Sequence, residues 1–429
     1  MFGFANFLLL ALFAAAVFDL IFALARGGGL RGALHGLWNT PHLLFGQQLA
    51  EWRLQLGRIL FAAGLAAYEI SVVFCNSMAR QNWAWVQGVM SPVLEWLAFL
   101  CFGAKILFGT RYTWRELLAG GALYFIARWV YFNSQNIWWI GIVVAVLAAK
   151  DVPLRRPLQV YFASGCAAMA VVLALHFAGI VAPDLTSERM GALRGTYGYG
   201  HPNTFGGLVF GLVLAYALLR AQKVRWVDCL LVFAIGVFLL VGPASRSAAL
   251  CMLALTVGLV FCRLRAGHSV PRCWPGTCAG MVGLTAAVSY LLPLLVIKVG
   301  PWNNDIGPAW LAKLDSLLTC RISLTWMAYR LLDVKIAGQV FNWPTVDNSF
   351  AFALFQFGPV VAALLGILFA AALWGHAKQG RRVEVCCLFA MLAYAYMEVQ
   401  PFHLTTNPTA LLLCGAVFAQ TSARWQKIE

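Results

Sequence analysis

Charged residues are scarce in this sequence, and acidic residues are the scarcest of them. Asp, Glu, Lys and Arg together make up only 11% of the 429 residues, whereas apolar residues make up 62%. A soluble domain contains about 25% charged residues and about 45–50% apolar residues. The shortage of charge therefore excludes a soluble globular domain, a disordered chain and a coiled coil, and it indicates an integral membrane protein.

Several motifs of metal-dependent and nucleotide-binding enzymes are also missing. No Asp-x-Asp pair occurs on a predicted external loop, and no three His or carboxylate residues have the spacing of a divalent-metal site. There is no G-x-S-x-G elbow and no nucleotide-phosphate loop. The 12 Cys lie mostly in apolar runs, which favours free thiols over disulfides. We therefore predict metal-independent chemistry, without a cofactor.

The positive charge of the chain carries information about its orientation in the membrane. The net charge is +15, because 31 Lys and Arg residues outnumber 16 Asp and Glu residues. The basic residues are scattered between apolar runs, so nucleic acid is not the expected partner. Most of these residues fall on one set of alternate connections, and cytoplasmic loops carry such an excess. We predict that this side and the C-terminus are cytoplasmic. The other, external side then carries two long polar loops, 183–202 and 299–347.

The apolar runs predict a polytopic helical bundle. A helix of about 20 apolar residues crosses the hydrocarbon layer, and this window finds about thirteen segments, within a range of about twelve to fourteen. They are 3–25, 58–78, 84–108, 114–132, 136–149, 158–182, 203–221, 226–243, 246–264, 277–298, 348–374, 384–399 and 406–421. Segment 30–50 is amphipathic enough to lie along the interface. We predict one all-α membrane domain over residues 1–429, with the two external loops forming the cap of an active site.

The first external loop ends in a glycine-rich stretch, R-G-T-Y-G-Y-G-H-P-N at 194–203. These glycines allow another group to approach the backbone closely. Asn203 or Thr204 can cap the following helix, whose N-terminus would favour an anion. Arg194 is a candidate anion ligand, and His201 is either a catalytic base or a structural residue of the turn.

Two further polar stretches open helices that run inward from the same side. Ser245 and Arg246 precede one apolar run, and an Arg close to hydrocarbon requires a partner or a phosphate. Asp347 and Asn348 precede another run. Three helix N-termini are thus predicted to face one compartment.

Two more groups of polar residues lie on the predicted external side. Residues 310–334 show apolar residues at helical spacing, which predicts an amphipathic helix on the outer surface that carries Arg321. Glu398, His403 and Asn407 follow between the last two predicted helices.

Taken in chain order, these stretches resemble the Wzy-type polysaccharide polymerases of the O-antigen ligase and polymerase superfamily. The pattern R-x₃-G-x-G-H-P-N is distinctive, S-R-S and D-N-S are weak, and D-S-L-L-T-C-R at 315–321 and the stretch 398–407 complete the series. The similarity covers about residues 185–410. It implies a GT-C-like glycosyltransferase that acts at the outer face of a bacterial cytoplasmic membrane.

The resemblance also implies the reaction and the partners. The substrates would be undecaprenyl-diphosphate-linked oligosaccharide repeat units, which are joined into capsular or exopolysaccharide. A chain-length regulator and a flippase of the same pathway are further possible partners. Ligases of the superfamily carry a His at the helix start where this chain has Asp347-Asn348, which favours a polymerase. The alternatives are ligase-like transfer of glycan to another acceptor and, in a different class, a flippase or transporter of lipid-linked oligosaccharide.

The chemistry of these residues assigns roles for such a reaction. Arg forks bind phosphate oxygens in a bidentate way, so Arg194, Arg246 and Arg321 are predicted to bind the diphosphate. A carboxylate such as Asp347 can accept the proton of the acceptor hydroxyl. The full prediction has catalytic Asp347, His201 and Arg246, and substrate-binding Arg194, Asn203, Ser245, Arg321, Asn348, Glu398 and Asn407.

Overall fold

A computed structural model describes residues 2–25, 29–181, 187–189, 192–269, 271–297 and 307–418. Residues 183–186, 190–191 and 299–306 of the two predicted external loops lie outside the described residues, as does the predicted cytoplasmic C-terminus. The α-helices are α1 (Phe2–Ala25), α2 (Gly29–Asn39), α3 (Ala50–Cys75), α4 (Ala79–Asn82), α5 (Ser91–Phe108), α6 (Trp114–Ser134), α7 (Ile137–Ala148), α8 (Arg155–Phe177), α9 (Pro202–Leu219), α10 (Trp226–Val241), α11 (Arg246–Leu264), α12 (Trp274–Leu291), α13 (Ala309–Leu317), α14 (Arg321–Leu331), α15 (Ser349–Phe352), α16 (Pro359–Lys378), α17 (Arg382–Met397) and α18 (Cys414–Val417).

The remaining regular segments are short. Antiparallel strands β1 (His42–Leu43) and β2 (Arg111–Tyr112) form one pair, and β3 (Ser187–Arg189) and β4 (Ala192–Arg194) form another. Two π-helical turns and three 3₁₀ segments complete the set: Val86–Met90, Ala353–Phe357, Leu292–Leu295, Gln400–Phe402 and Pro408–Leu413.

The prediction of an all-α, multi-pass membrane protein is confirmed. Within the described part of the chain, 8 helical segments are long and apolar enough to cross a bilayer: Asn6–Ala25, Ala50–Cys75, Val86–Phe108, Arg155–Phe177, Pro202–Leu219, Arg246–Leu264, Trp274–Leu295 and Pro359–Lys378. Three shorter apolar segments accompany them: Ile137–Ala148, Trp226–Val241 and Pro408–Val417. The count of about twelve to fourteen spans and the GT-C-like fold stay predictions.

The predicted continuous helix over 348–374 is wrong, because the chain breaks at Gly358. The short helix α15 passes into a π-helical turn, and α16 begins only at Pro359. Pro359 has no N–H to continue the helix, and it disfavours helical backbone in the residue before it. Gly358 adopts a φ of 88°, a left-handed value that a side chain would strain.

The predicted amphipathic helix over 310–334 is two helices instead of one. Thr319 and Cys320 separate α13 from α14, and both have positive φ, at 56° and 67°. The buried Asp315 carboxylate stabilises the second start, since its Oδ1 atom accepts hydrogen bonds from the backbone N–H groups of Ile322 at 2.8 Å and Ser323 at 3.1 Å. This cap fixes the position of Arg321, the first residue of α14.

Helix packing brings several predicted polar stretches to one end of the bundle. α9 packs against α8 and α17, and α11 packs against α10 and α17. The first residues of α9 and α11 contact the residue that follows α17, as the hydrogen bonds of Glu398 show below. The starts of two helices and the end of a third therefore meet around Glu398.

Candidate active site

The carboxylate of Glu398 lies at the centre of the candidate site. It follows the last residue of α17, and its side chain is only 5% exposed. Its Oε1 atom accepts hydrogen bonds from three donors: Asn203 Nδ2 at 3.0 Å, Ser247 Oγ at 2.7 Å and Arg321 Nη2 at 2.9 Å. A buried carboxylate is costly unless it is paired and hydrogen-bonded, and Glu398 has both kinds of partner.

Arg321 binds two carboxylates and two segments of backbone. Its Nη2 atom lies 2.9 Å from Glu398 Oε1 and 3.3 Å from Asp347 Oδ2. Its Nε donates to the Met397 carbonyl at 3.0 Å, and its Nη1 donates to the carbonyl and the hydroxyl of Thr319. Five acceptor atoms thus surround a group that has five N–H donors. The contacts favour a positioning role for Arg321 over the direct contact with a diphosphate that the sequence suggested.

Asp347 and Glu398 share Arg321 but differ in exposure. The Asp347 side chain is 24% exposed, compared with 5% for Glu398. No hydrogen bond from another described side chain occupies the Asp347 carboxylate. Asp347 is therefore the carboxylate of this pair that a substrate hydroxyl can reach, which is the geometric requirement for a general base.

Asn348 and Ser349 anchor the start of α15 beside these carboxylates. Asn348 Oδ1 accepts hydrogen bonds from the backbone N–H groups of Phe350 at 2.9 Å and Ala351 at 3.1 Å, and its Nδ2 donates to Ser289 Oγ. The Ser349 hydroxyl donates to the Glu398 carbonyl at 2.6 Å. Asn348 is thus a helix cap, and Ser349 joins α15 to the end of α17.

We expect Asn348→Ala to lower the free energy of unfolding by about 1 kcal/mol, because it removes an N-cap. The measurement is the thermal midpoint of the detergent-solubilised protein, followed by tryptophan fluorescence. Asn342→Ala, on an exposed residue of the same loop, is the control and should leave the midpoint unchanged. Equal midpoints for both variants would show that the Asn348 cap contributes nothing.

Arg194 belongs to the same network through Asn203. The Nη2 atom of the buried Arg194 donates to Asn203 Oδ1 at 3.0 Å and to the Ala244 carbonyl at 3.1 Å. Asn203 in turn donates to Glu398. The chain of contacts from Arg194 to Arg321 therefore passes through only two side chains.

The cap of α9 differs from the prediction that named Asn203 or Thr204. His201 is the N-cap, with extended backbone, and its Nδ1 atom accepts the Asn203 N–H at 3.1 Å. Pro202 occupies the first helical position. Proline has no N–H, and it is tolerated there because an N–H at that position would have no intrahelical partner. Capping uses Nδ1 of His201, so the structure gives this residue the turn-forming role that the sequence left as an alternative.

Arg246 and Ser245 lie at the start of α11, next to the network. Arg246 is exposed, and no described residue forms a hydrogen bond or ion pair with its side chain. Ser245 is buried beneath α9, where a Cβ atom on Gly206 would overlap its hydroxyl. Gly206 therefore allows the start of α11 to approach the backbone of α9 closely. Arg246 is the arginine whose donors remain available for a ligand.

Asn407 lies outside this group of contacts. Its Nδ2 donates to the Pro401 carbonyl at 2.9 Å, and its Oδ1 accepts from the Thr409 hydroxyl and the Ala410 N–H. It caps the 3₁₀ segment Pro408–Leu413, which takes the place of the first part of the helix predicted over 406–421. These contacts give Asn407 a structural role in the loop.

Sequence reasoning missed Ser247 and Ser349 as members of the site. Each follows a residue that the prediction did select, Arg246 in one case and Asn348 in the other. The sequence feature that could have identified these two serines is their position in the S-R-S and D-N-S stretches. A hydroxyl next to the start of a helix usually acts as a helix cap. Only the fold shows that the hydroxyls of Ser247 and Ser349 both contact Glu398.

An apolar groove adjoins the site between α12 and α16. It has a volume of about 540 Å³. Small residues line much of its length: Gly280, Gly283, Ala286, Ala363, Gly366 and Ala370. Tyr290 and Phe350 line it and also line a smaller cavity of about 90 Å³ that includes Ser349. The groove thus adjoins a cavity that is lined by Ser349, the residue that hydrogen-bonds to the Glu398 carbonyl.

Comparisons with protein-family models, with curated proteins and with solved structures find no match to this chain. Over the part of the chain that the structure describes, no three His, Cys, Asp or Glu residues form a group suited to a metal ion. The residues and their contacts therefore carry the functional assignment.

Proposed function

We propose that this chain is a membrane glycosyltransferase that polymerises lipid-diphosphate-linked oligosaccharide repeat units at the external membrane face. The hydroxyl at the nonreducing end of one unit attacks the anomeric carbon of the growing chain. A new glycosidic C–O bond forms, and the C–O bond to the diphosphate breaks. Polyprenyl diphosphate leaves with the electron pair, and the hydroxyl proton passes to a carboxylate.

One observation carries the proposal: the stretches that resemble the polymerases are far apart in sequence but contribute to one set of contacts. Asn203, Ser247 and Arg321 each donate to Glu398, although up to 195 positions separate them from it. Asp347 joins through Arg321. If the matching stretches were helix ends with no common function, contacts among them would not be expected.

The exposure of each group favours a division of roles. Arg246 is exposed at a helix start, where a cation and free backbone N–H groups favour the diphosphate. Asp347, partly exposed, accepts the acceptor proton. Glu398 and Arg321 are buried: Arg321 forms an ion pair with Asp347, and Glu398 accepts a hydrogen bond from Ser247, the neighbour of Arg246 in the chain.

The adjoining groove suits the lipid part of such a substrate. A polyprenyl chain is a long hydrocarbon, and burying it stabilises binding by about 25 cal/mol per Å² of apolar surface. The groove is lined by apolar residues and adjoins the cavity that Ser349 lines, so a lipid in the groove would place its diphosphate near the helix starts.

Filling the groove should weaken substrate binding without disturbing the site. Gly283 and Gly366 line it, and a Cβ atom on either would meet no heavy atom within 4 Å. An inserted side chain costs about 1–3 kcal/mol in a filled site, so we expect Gly283→Leu or Gly366→Leu to raise KM for the lipid-linked unit by about tenfold or more. Gly121→Leu, on α6 and also with open space, is the control. An unchanged KM in both groove variants would exclude the groove as the lipid site.

The experiment that tests the proposed function is substitution of Arg246. We expect Arg246→Ala to lower the transfer rate by about 10²–10³, by analogy with loss of an oxyanion donor, and to cause single lipid-linked units to accumulate in cells. Arg330→Ala removes an exposed Arg of α14 that stacks on Trp326, and it should leave long polymer intact. Normal polymer from a membrane-inserted Arg246→Ala protein would refute the assignment.

A further inference from the structure

A second polar cavity lies at the end of the bundle opposite the candidate active site. Because α9 and α11 begin at that site and α17 ends there, the end of α9, the end of α11 and the start of α17 lie at the other end. The connections α9–α10, α11–α12 and α16–α17 enclose a cavity of about 720 Å³ there. Neither the resemblance nor the proposed function gives this cavity a role.

Basic side chains dominate the lining of this cavity. They come from the α9–α10 connection, the end of α11 and the start of α17, and they are Lys223, Arg225, Arg263, Arg381 and Arg382. Glu384 is the one carboxylate among the lining residues. The nearby Asp228 is buried and already accepts hydrogen bonds from Tyr216 at 2.5 Å and Arg220 at 3.2 Å. The cavity therefore has a large excess of positive charge.

Contacts within the lining hold its connections in place. Arg382 donates from its guanidinium to the backbone carbonyls of Arg265, His268 and Ser269, so the start of α17 fixes the loop after α11. Lys223 and Arg263 are exposed, and their side chains form no hydrogen bond with any described residue. One arginine thus builds the cavity, while these two cations remain available to a ligand.

Exposed apolar side chains flank the same helix ends. Trp226 is 53% exposed at the start of α10, and Leu264 is 63% exposed at the end of α11. These are ends of apolar helices, which lie at the level of lipid headgroups, where Trp is enriched. A ligand that touched both the cations and these apolar groups would be amphipathic.

We propose that this cavity binds the phosphate headgroup of an anionic phospholipid from the leaflet on that side. Basic pockets between membrane helices bind such headgroups, and Arg forks match phosphate oxygens. The flanking apolar side chains would contact the acyl chains, which a soluble phosphate lacks. The lipid is therefore favoured over a free anion.

The test is binding of phosphatidylglycerol to the purified full-length chain, measured by native mass spectrometry in detergent against phosphatidylcholine. Each basic side chain near a lipid surface contributes about fivefold to binding, so the double variant Lys223→Gln/Arg263→Gln should bind phosphatidylglycerol about thirtyfold more weakly. Arg155→Gln/Arg156→Gln is the matched control, because it removes two exposed arginines from the start of α8. These lie at the same end of the bundle, since Val172 and His176 near the other end of α8 pack against Gly198.

Three outcomes would overturn the proposal. Equal affinity for phosphatidylglycerol and phosphatidylcholine would exclude recognition of anionic lipid. Equal loss in both double variants would show that general surface charge, and not the cavity, attracts the lipid. Displacement of phosphatidylglycerol by millimolar inorganic phosphate would identify a soluble anion as the ligand. The readout is binding, so it stands whether or not the chain polymerises glycans.

Discussion

Arg321→Ala is expected to abolish polymer formation and to lower the free energy of unfolding by about 3–5 kcal/mol, the usual cost of removing one partner of a buried ion pair. The substitution would leave Glu398, only 5% exposed, without its cationic partner. It would also remove the hydrogen bond to Met397 and the ion pair to Asp347. Both carboxylates would then lose the group that fixes their positions.

Second-site variants separate the lost charge from the lost packing. Adding Glu398→Gln to Arg321→Ala removes the unpaired buried charge, so the double variant should melt at a higher temperature than Arg321→Ala alone. Arg330→Ala, at an exposed position on the same helix, removes only a stacking contact with Trp326 and should lower the midpoint much less. A wild-type midpoint together with normal polymer in Arg321→Ala would contradict the positioning role.

Asp347→Asn is expected to reduce the transfer rate by about 10²–10⁴, the usual contribution of a general base. The amide has nearly the same shape, but it cannot accept the proton of the acceptor hydroxyl. Because Asp347 is partly exposed and its carboxylate forms an ion pair with Arg321 at 3.3 Å, the thermal midpoint should change little. The assay measures transfer between purified lipid-linked units under single-turnover conditions.

Asp333→Asn provides the matched control for this substitution, since Asp333 is an exposed carboxylate in the same loop. It should retain the full transfer rate. A full rate in Asp347→Asn would exclude Asp347 as the base. The large loss of thermal stability expected for Arg321→Ala and the small change expected for Asp347→Asn also distinguish a positioning residue from a catalytic one.

Hydropathy predicted the class of fold because a membrane requires long apolar helices, whatever their packing. The meeting of polar helix ends was also foreseeable, since helices that alternate in direction return their polar ends to the same side. The predicted helix boundaries were wrong where the local backbone conformation ended or divided a helix. Gly358-Pro359 ended a predicted helix, and positive φ at Thr319 and Cys320 divided another.

Atomic roles inside the site could not be read from the sequence. Arg194, Arg246 and Arg321 look alike as isolated arginines near helix ends, and only their burial and partners distinguish them. Arg321 is surrounded by acceptors, whereas Arg246 is exposed. These differences depend on contacts between residues more than 70 positions apart, such as the 77 that separate Arg321 from Glu398.

The most direct test of the polymerase proposal is incubation of the purified chain with one defined undecaprenyl-diphosphate-linked repeat unit. We expect a ladder of lengthened lipid-linked glycans, with one undecaprenyl diphosphate released for each new glycosidic bond. Correctly folded protein that leaves every unit at its original length, or that only moves units across a vesicle membrane, would contradict the proposal.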